Sequence, residues 1–203
     1  MAERPCLLLA AFPPELAGLD AAPPPGWIAG VTGVGAVAAA IETARLVARH
    51  APARVLFVGT CGAYDARLAP GDLLAASEVV ATSLDEVEGR AYRPAIERVR
   101  WPAGWDLPLP AHWVAVPPAI TRTEAGARAL AAVAAAEHLE LTGVFAACHA
   151  AGVPAAAALA VANRVGPDAH AEWKATHAAA SAALRAALEA RGVLPTSAAG
   201  RSR

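Results

Sequence analysis

The chain has 203 residues, a length that suits one α/β domain with a substantial buried core. Its 17 Lys and Arg against 18 Asp and Glu leave a formal net charge of −1, which excludes the basic stripe of a nucleic-acid binder and an acidic interaction tail. Alanine dominates an apolar fraction of 56%, and no window offers about 18 bulky apolar residues free of charge and proline, so no membrane span is predicted.

Cys6-Leu-Leu-Leu9 opens the chain and Pro13-Pro14 cut the run off. It is too short for a signal-peptide core and lacks a cleavage site, so residues 5–11 read as the first strand. Cys6, Cys61 and Cys148 are odd in number and show no CxxC spacing. That argues against zinc and a disulfide framework and points to a reducing cytoplasm. Glu15 follows the first strand and the diproline, at the carboxyl edge of the expected sheet. It is either a site carboxylate or an ordinary solvated glutamate at a helix start. Residues 27–32 form a second strand, leading through Gly33-Val34-Gly35 into a helix over 37–49. These glycines permit close backbone approach, and the helix start offers free N–H groups to a polar ligand. They are not a dinucleotide fingerprint, since the third glycine and the following acid are missing.

Val55 to Val58 reads as a strand buried on both faces, ending in a sharp turn at Gly59-Thr60-Cys61-Gly62. A further strand covers 72–82. Residues 83–111 are irregular, charged and then rich in Trp and Pro, which suits a subunit contact, a pocket lid or a plain loop. A strand over 112–116 precedes Pro117-Pro118, and a helix starts at Thr121 or Thr123 and runs to about 136. The next helix, 142–151, carries Val144, Phe145, Cys148 and Ala151 at core spacing, so Cys148 reads as a packed thiol rather than a nucleophile. An alanine-rich strand over 155–162 ends in Asn163-Arg164-Val165-Gly166-Pro167, and a closing helix spans 170–190. Residues 1–194 form one predicted domain, a three-layer α/β/α sandwich with a mixed central sheet, and 195–203 a frayed tail.

Together the strand-end segments resemble the purine and uridine nucleoside phosphorylase superfamily, and more closely its hydrolytic branch. Ala11-Phe-Pro-Pro-Glu15-Leu resembles the nucleosidase opening, and Thr32-Gly-Val-Gly-Ala-Val-Ala-Ala39 that branch's glycine turn. Val58-Gly-Thr-Cys-Gly-Ala63 with Pro70-Gly-Asp72 resembles the superfamily's most specific signature. Glu137-His-Leu-Glu140 is similar to its E-x-M-E segment, with Leu139 in the methionine position. The resemblance implies that Glu15 handles the attacking water and that Glu140, beside Leu139, grips the ribose hydroxyls. Thr60 then offers a hydroxyl near the ribose or the water, and Gly33, Gly35, Gly59 and Gly62 shape the substrate loops. It implies a small-molecule nucleoside substrate, no metal or organic cofactor, no nucleic acid or membrane partner, and a homo-oligomer, most simply a dimer.

Two departures narrow the choice. Asn163 stands where the purine enzymes carry an aspartate, and Ala162 where they carry a serine. An aspartic acid can protonate N7 of a leaving purine, whereas an amide only donates a hydrogen bond. Asn163-Arg-Val-Gly-Pro167 with Trp173 is instead similar to futalosine hydrolase, which releases hypoxanthine. The first loop also carries a carboxylate where phosphorylases hold phosphate with arginines, which favours water over phosphate. Arg54, Arg67, Arg90 and Arg93 are the cations that could reverse that preference. His138 beside the ribose position reads as structural. The competing readings are a phosphorylase, a 5′-methylthioadenosine/S-adenosylhomocysteine nucleosidase, and a silent nucleoside-binding protein of the same fold.

Overall fold

In the computed structural model, which describes residues 3–196, the apolar runs of the sequence become eight strands of one mixed sheet. These are β1 (Cys6–Ala10), β2 (Trp27–Val31), β3 (Arg54–Ala63), β4 (Leu73–Ala81), β5 (Arg100–Pro102), β6 (Ala111–Val116), β7 (Ala136–Glu137) and β8 (Ala155–Arg164). β1 pairs in parallel with β2 and β3, and β3 in parallel with β8. β8 then meets β4 antiparallel, β4 and β6 run parallel, and β7 joins β6 to the far end of β3. Pairing therefore passes from β3 through β8, β4, β6 and β7 back to β3, and the middle of the sheet closes on itself.

The helices cover both faces, which is why β3 and β8 are continuous apolar runs with no polar alternation. α1 (Ala36–His50) and α4 (Leu141–Ala150) pack on one face, against Leu7, Leu9, Val55, Phe57 and Leu159. α5 (Ala169–Ala190) covers the other through Leu184 and Leu188, against Leu8, Leu56 and Val58. The expected three-layer sandwich is the observed one. Cys148 lies in the first core, where burial pushes its thiol up to about 12. α3 (Glu124–Ala131) starts where Thr123 accepts the Gly126 amide at 3.0 Å, and short α2 (Leu84–Val87) packs beside it.

Several boundaries differ from the sequence reading, each for a tertiary reason. β3 does not end at Val58 and turn at 59–62. β8 pairs beside it as far as Ala63, and the ladder holds the backbone extended across both glycines. Those glycines serve close approach instead. A Cβ on Gly62 would stand 2.8 Å from Val165 and 3.0 Å from the Asn163 amide nitrogen, and one on Gly59 would stand 3.0 Å from the Phe57 ring. The helix expected to reach about 136 stops at Ala131, because Ala136 and Glu137 are drawn into pairing with both β3 and β6. The segment read as irregular contains α2 and β5. Trp101 packs against the first core and Trp105 stacks over the Arg54 guanidinium at 4.5 Å, so both tryptophans are used within the chain. Ala151, expected in the core, is exposed at the end of α4. Of the predicted tail only Pro195 and Thr196 fall among the described residues.

Candidate active site

The site begins with a gap in the sheet. β1 stays beside β3 only to Phe57, and β7 joins the same strand at Gly62. Along that edge, the stretch 58–61 has no partner strand, and a buried strand amide without a partner is costly. Glu15 fills the gap. Pro13 and Pro14 open a 3₁₀ turn over Pro13–Leu16, which folds Glu15 back towards β3. Its Oε1 accepts the Thr60 amide and the Thr60 hydroxyl, each at 2.8 Å, and Oε2 accepts the Ala11 amide at 3.3 Å. Glu15 is only 5% exposed. Burial pushes it up to about 7; the nearby Glu140 charge adds to that, and the Thr60 and Ala11 hydrogen bonds oppose it. Cys61, buried beside it, is raised by burial and then by the Glu15 charge.

A second buried carboxylate enters from α4. Gly143 lets α4 approach α1 so closely that a Cβ there would collide with the Ala36 carbonyl. That contact brings the start of α1 to Glu140, whose Oε1 accepts the Gly35 amide at 2.8 Å. The Glu140 amide donates to His138 Nδ1 at 3.1 Å, and Glu140 Oε2 also lies 3.1 Å from that nitrogen. Burial holds the imidazole below its usual range, with the Glu140 charge opposing. His138 Nε2 and Glu15 Oε1 lie 3.2 and 3.5 Å from the point where a Gly59 Cβ would stand.

Asn163 comes from the end of β8. Gly71 donates to the Val161 carbonyl and Val161 to the Asp72 carbonyl, each at 2.9 Å, so the Pro-Gly-Asp turn pins the strand. One residue later the register against β3 slips, and Asn163 rather than Ala162 pairs with Gly62. Its Nδ2 donates to the Arg164 carbonyl at 2.9 Å.

These groups line a cavity of about 480 Å³, within the range of small-molecule sites. Glu15, Thr60, Gly62, Leu139, Glu140 and Asn163, all singled out from the sequence, are on its wall. Gly33, Gly35 and Gly59 are not. Gly33 turns the chain into α1 at a φ of 81°, and Gly59 underlies Glu15 and His138. Gly35 faces an adjoining cavity of about 410 Å³ that shares Val34 and Leu139 with the first.

Phe12, Glu137, His138, His170 and Trp173 also line the wall; the sequence places Phe12, Glu137 and Trp173 in family-like motifs without giving them a role, and His170 carries no motif. His138, read as structural, stands against Glu140 on that wall. Glu137 accepts the Tyr64 hydroxyl at 3.0 Å and the Thr121 amide at 3.1 Å, and burial raises its carboxyl. His170, Trp173 and His177 recur at helical spacing along α5, a signal legible in the sequence. All four arginines that could hold phosphate have partners of their own, although Arg93 also lines the adjoining 410 Å³ cavity. Arg54 is stacked on Trp27 and Trp105, Arg67 binds Asp65, Arg90 binds Asp85 and Glu88, and Arg93 binds Glu86 and Glu97. Among the described residues no Lys or Arg lines the 480 Å³ cavity.

Residues 27–142 match the family model of the phosphorylase superfamily. The chain belongs to that superfamily. The matched segment carries Thr60, Gly62, His138 and Glu140, while Glu15, Asn163 and Trp173 lie outside it. Solved structures share the superfamily fold over almost the whole chain. A futalosine hydrolase mutant of Helicobacter pylori superposes with a TM-score of 0.81 at 16% identity, covering 94% of this chain and 99% of that one. The 5′-methylthioadenosine/S-adenosyl homocysteine nucleosidase of Helicobacter pylori gives 0.82 at 15%, covering 95% and 99%. The S-adenosylhomocysteine nucleosidase of Streptococcus pyogenes gives 0.78 at 18%, covering 93% and 95%. No curated protein matches the chain in sequence. Among the described residues no helix is long and apolar enough to cross a membrane.

Proposed function

We propose that the protein is a nucleosidase that hydrolyses the N-glycosidic bond of a purine nucleoside, with futalosine as the favoured substrate. One observation carries the reading: Glu15 is a buried carboxyl pushed up to about 7, in a cavity that no Lys or Arg among the described residues lines. A phosphate dianion needs fixed positive charge, whereas a carboxylate titrating near neutrality can take a proton from water. The likeness in fold to hydrolases of this superfamily supports the same choice.

In this reading the bond from the anomeric carbon to the base breaks and its electron pair leaves with the base. The water oxygen bonds to the developing oxocarbenium centre, and its proton passes to Glu15. Glu140, held by Gly35, accepts from the ribose hydroxyls and places negative charge near that centre. Leu139 packs against the sugar, and Thr60 orients Glu15 through two hydrogen bonds. Asn163 receives the base. As a neutral donor it stabilises charge spread over O6 and N7 of a departing 6-oxopurine, and it has no carboxylic proton to give adenine.

The test offers a panel of purine nucleosides with and without phosphate and follows the free base. Hypoxanthine release from futalosine without phosphate is the expected result; release that requires phosphate would make the protein a phosphorylase. Asn163→Asp examines the base position. It should slow hypoxanthine release, since a carboxylate would face O6 with like charge; unchanged release would remove Asn163 from the site. A homo-oligomer belongs to the same proposal. Its support is the exposed group Val34, Val37, Ile41 and Ile120, with Val34 and Ile120 also on the cavity wall, and light scattering checks it.

A further inference from the structure

Thr60 has a second partner across the cavity. The Trp173 indole nitrogen donates to the Thr60 hydroxyl oxygen at 3.1 Å, and that hydroxyl reaches Glu15 Oε1 at 2.8 Å. An indole N–H can only donate, and a threonine hydroxyl has one proton. With the indole occupying an acceptor site on Oγ1, the hydroxyl proton is left to point at Glu15. The Thr60 amide reaches the same carboxylate oxygen, so Oε1 carries two donors and Oε2 only the longer contact from Ala11.

Trp173 is itself held firmly. Its ring stacks on His177 with centroids 4.4 Å apart and planes 15° apart, and on His170 at 6.0 Å and 10°. Phe12, three residues before Glu15, leans on it at 5.9 Å. One aromatic stack on α5 is thus tied to the carboxylate through one hydroxyl.

We propose that Trp173 is a positioning residue, whose N–H fixes the Thr60 hydroxyl on Glu15 Oε1 and so reserves Oε2 as the oxygen that takes the proton from water. This rests on reading Glu15 as the general base. A donor fixed on the ionised carboxylate favours its charged form, and the Thr60 hydrogen bonds already oppose the upward push of burial on Glu15. Cys61, His138 and Glu140 are the other titratable groups around Glu15, and His170 and His177 are those packed on Trp173. None of them is itself changed by a substitution at Trp173.

Trp173→Phe removes the N–H together with the five-membered ring, keeping one aromatic ring in the stack. The experiment labels glutamate side-chain carboxyl carbons with ¹³C and follows the Glu15 resonance against pH, alongside the acid limb of kcat/KM. Trp173→Phe should move the Glu15 titration upward by a few tenths of a unit to about one unit, and the acid limb with it. Thr60→Val should move it at least as far, Thr60→Ser should restore it, and adding Trp173→Phe to Thr60→Val should add nothing. A role in packing alone would lower stability and leave the Glu15 titration in place; that result, or additive shifts in the double variant, overturns the proposal. A Glu15 resonance that moves while the acid limb stays fixed keeps the relay and instead overturns Glu15 as the base.

Discussion

The two edges of β3 differ in a way that accounts for the site. One edge is paired with β8 from Val55 to Ala63, and its backbone groups are satisfied by the ladder. The other loses β1 after Phe57 and gains β7 only at Gly62. The same apolar strand is closed by a ladder on its paired edge and opens onto the candidate site on its interrupted one. The missing ladder bond at Thr60 is replaced by a side chain, and that side chain is an acid buried where its charged form is costly. A cavity at a sheet opening therefore comes with a near-neutral carboxyl already bonded to the strand.

Changes on the two edges should separate activity from stability. Glu15→Gln, on the open edge, keeps the acceptor for Thr60 and removes the proposed base, so turnover should fall on the order of 10²–10⁴-fold in steady-state kinetics. The same variant should be more stable at alkaline pH. Glu15 is raised from 4.5 to about 7 in the fold, so the folded state binds the extra proton. The Glu15 contribution to stability is therefore fully present below about 4.5 and is lost as pH rises through 7. Thermal unfolding at pH 8 should show a gain on the order of 1–3 kcal/mol for the glutamine variant, and no gain at pH 4. Leu159→Ala, on the fully buried partner of the closed edge, should do the reverse. It should cost about 2–5 kcal/mol in denaturant unfolding and leave kcat/KM per folded molecule little changed. Gly62→Ala lies where the two edges meet. Its methyl would press on Val165 and the Asn163 amide, and displacing Asn163 should lower kcat/KM by up to about 10²-fold, with a smaller loss in melting temperature.

Much of this was legible in the sequence because strand ends carry their own punctuation. Glu15 after the diproline, Thr60 between two glycines, Glu140 before α4 and Asn163 before Gly166-Pro167 each follow an apolar run, and the structure brings these four to one cavity. The gap itself was not legible. Nothing in Val58-Gly-Thr-Cys-Gly-Ala63 says that β1 departs at Phe57, because pairing depends on partners distant in sequence, and the glycines were read as a turn. His138 was read as structural for a related reason. A single histidine beside an acidic residue carries no periodic signal, and its contact with Glu140 forms only in the folded chain. Trp173 did carry a signal, the spacing of His170, Trp173 and His177 on α5. Its link to Thr60 spans 113 residues and exists only in the folded chain.

The most direct test is kcat/KM for hypoxanthine release from futalosine, measured from pH 5 to 9 in phosphate-free buffer and again with phosphate added. With Glu15 as a water-activating base, release proceeds without phosphate, gains nothing from its addition, and rises with pH through one ionisation near 7 that is absent in Glu15→Gln. Release that appears only with phosphate, or a profile that stays flat through pH 7, would contradict it.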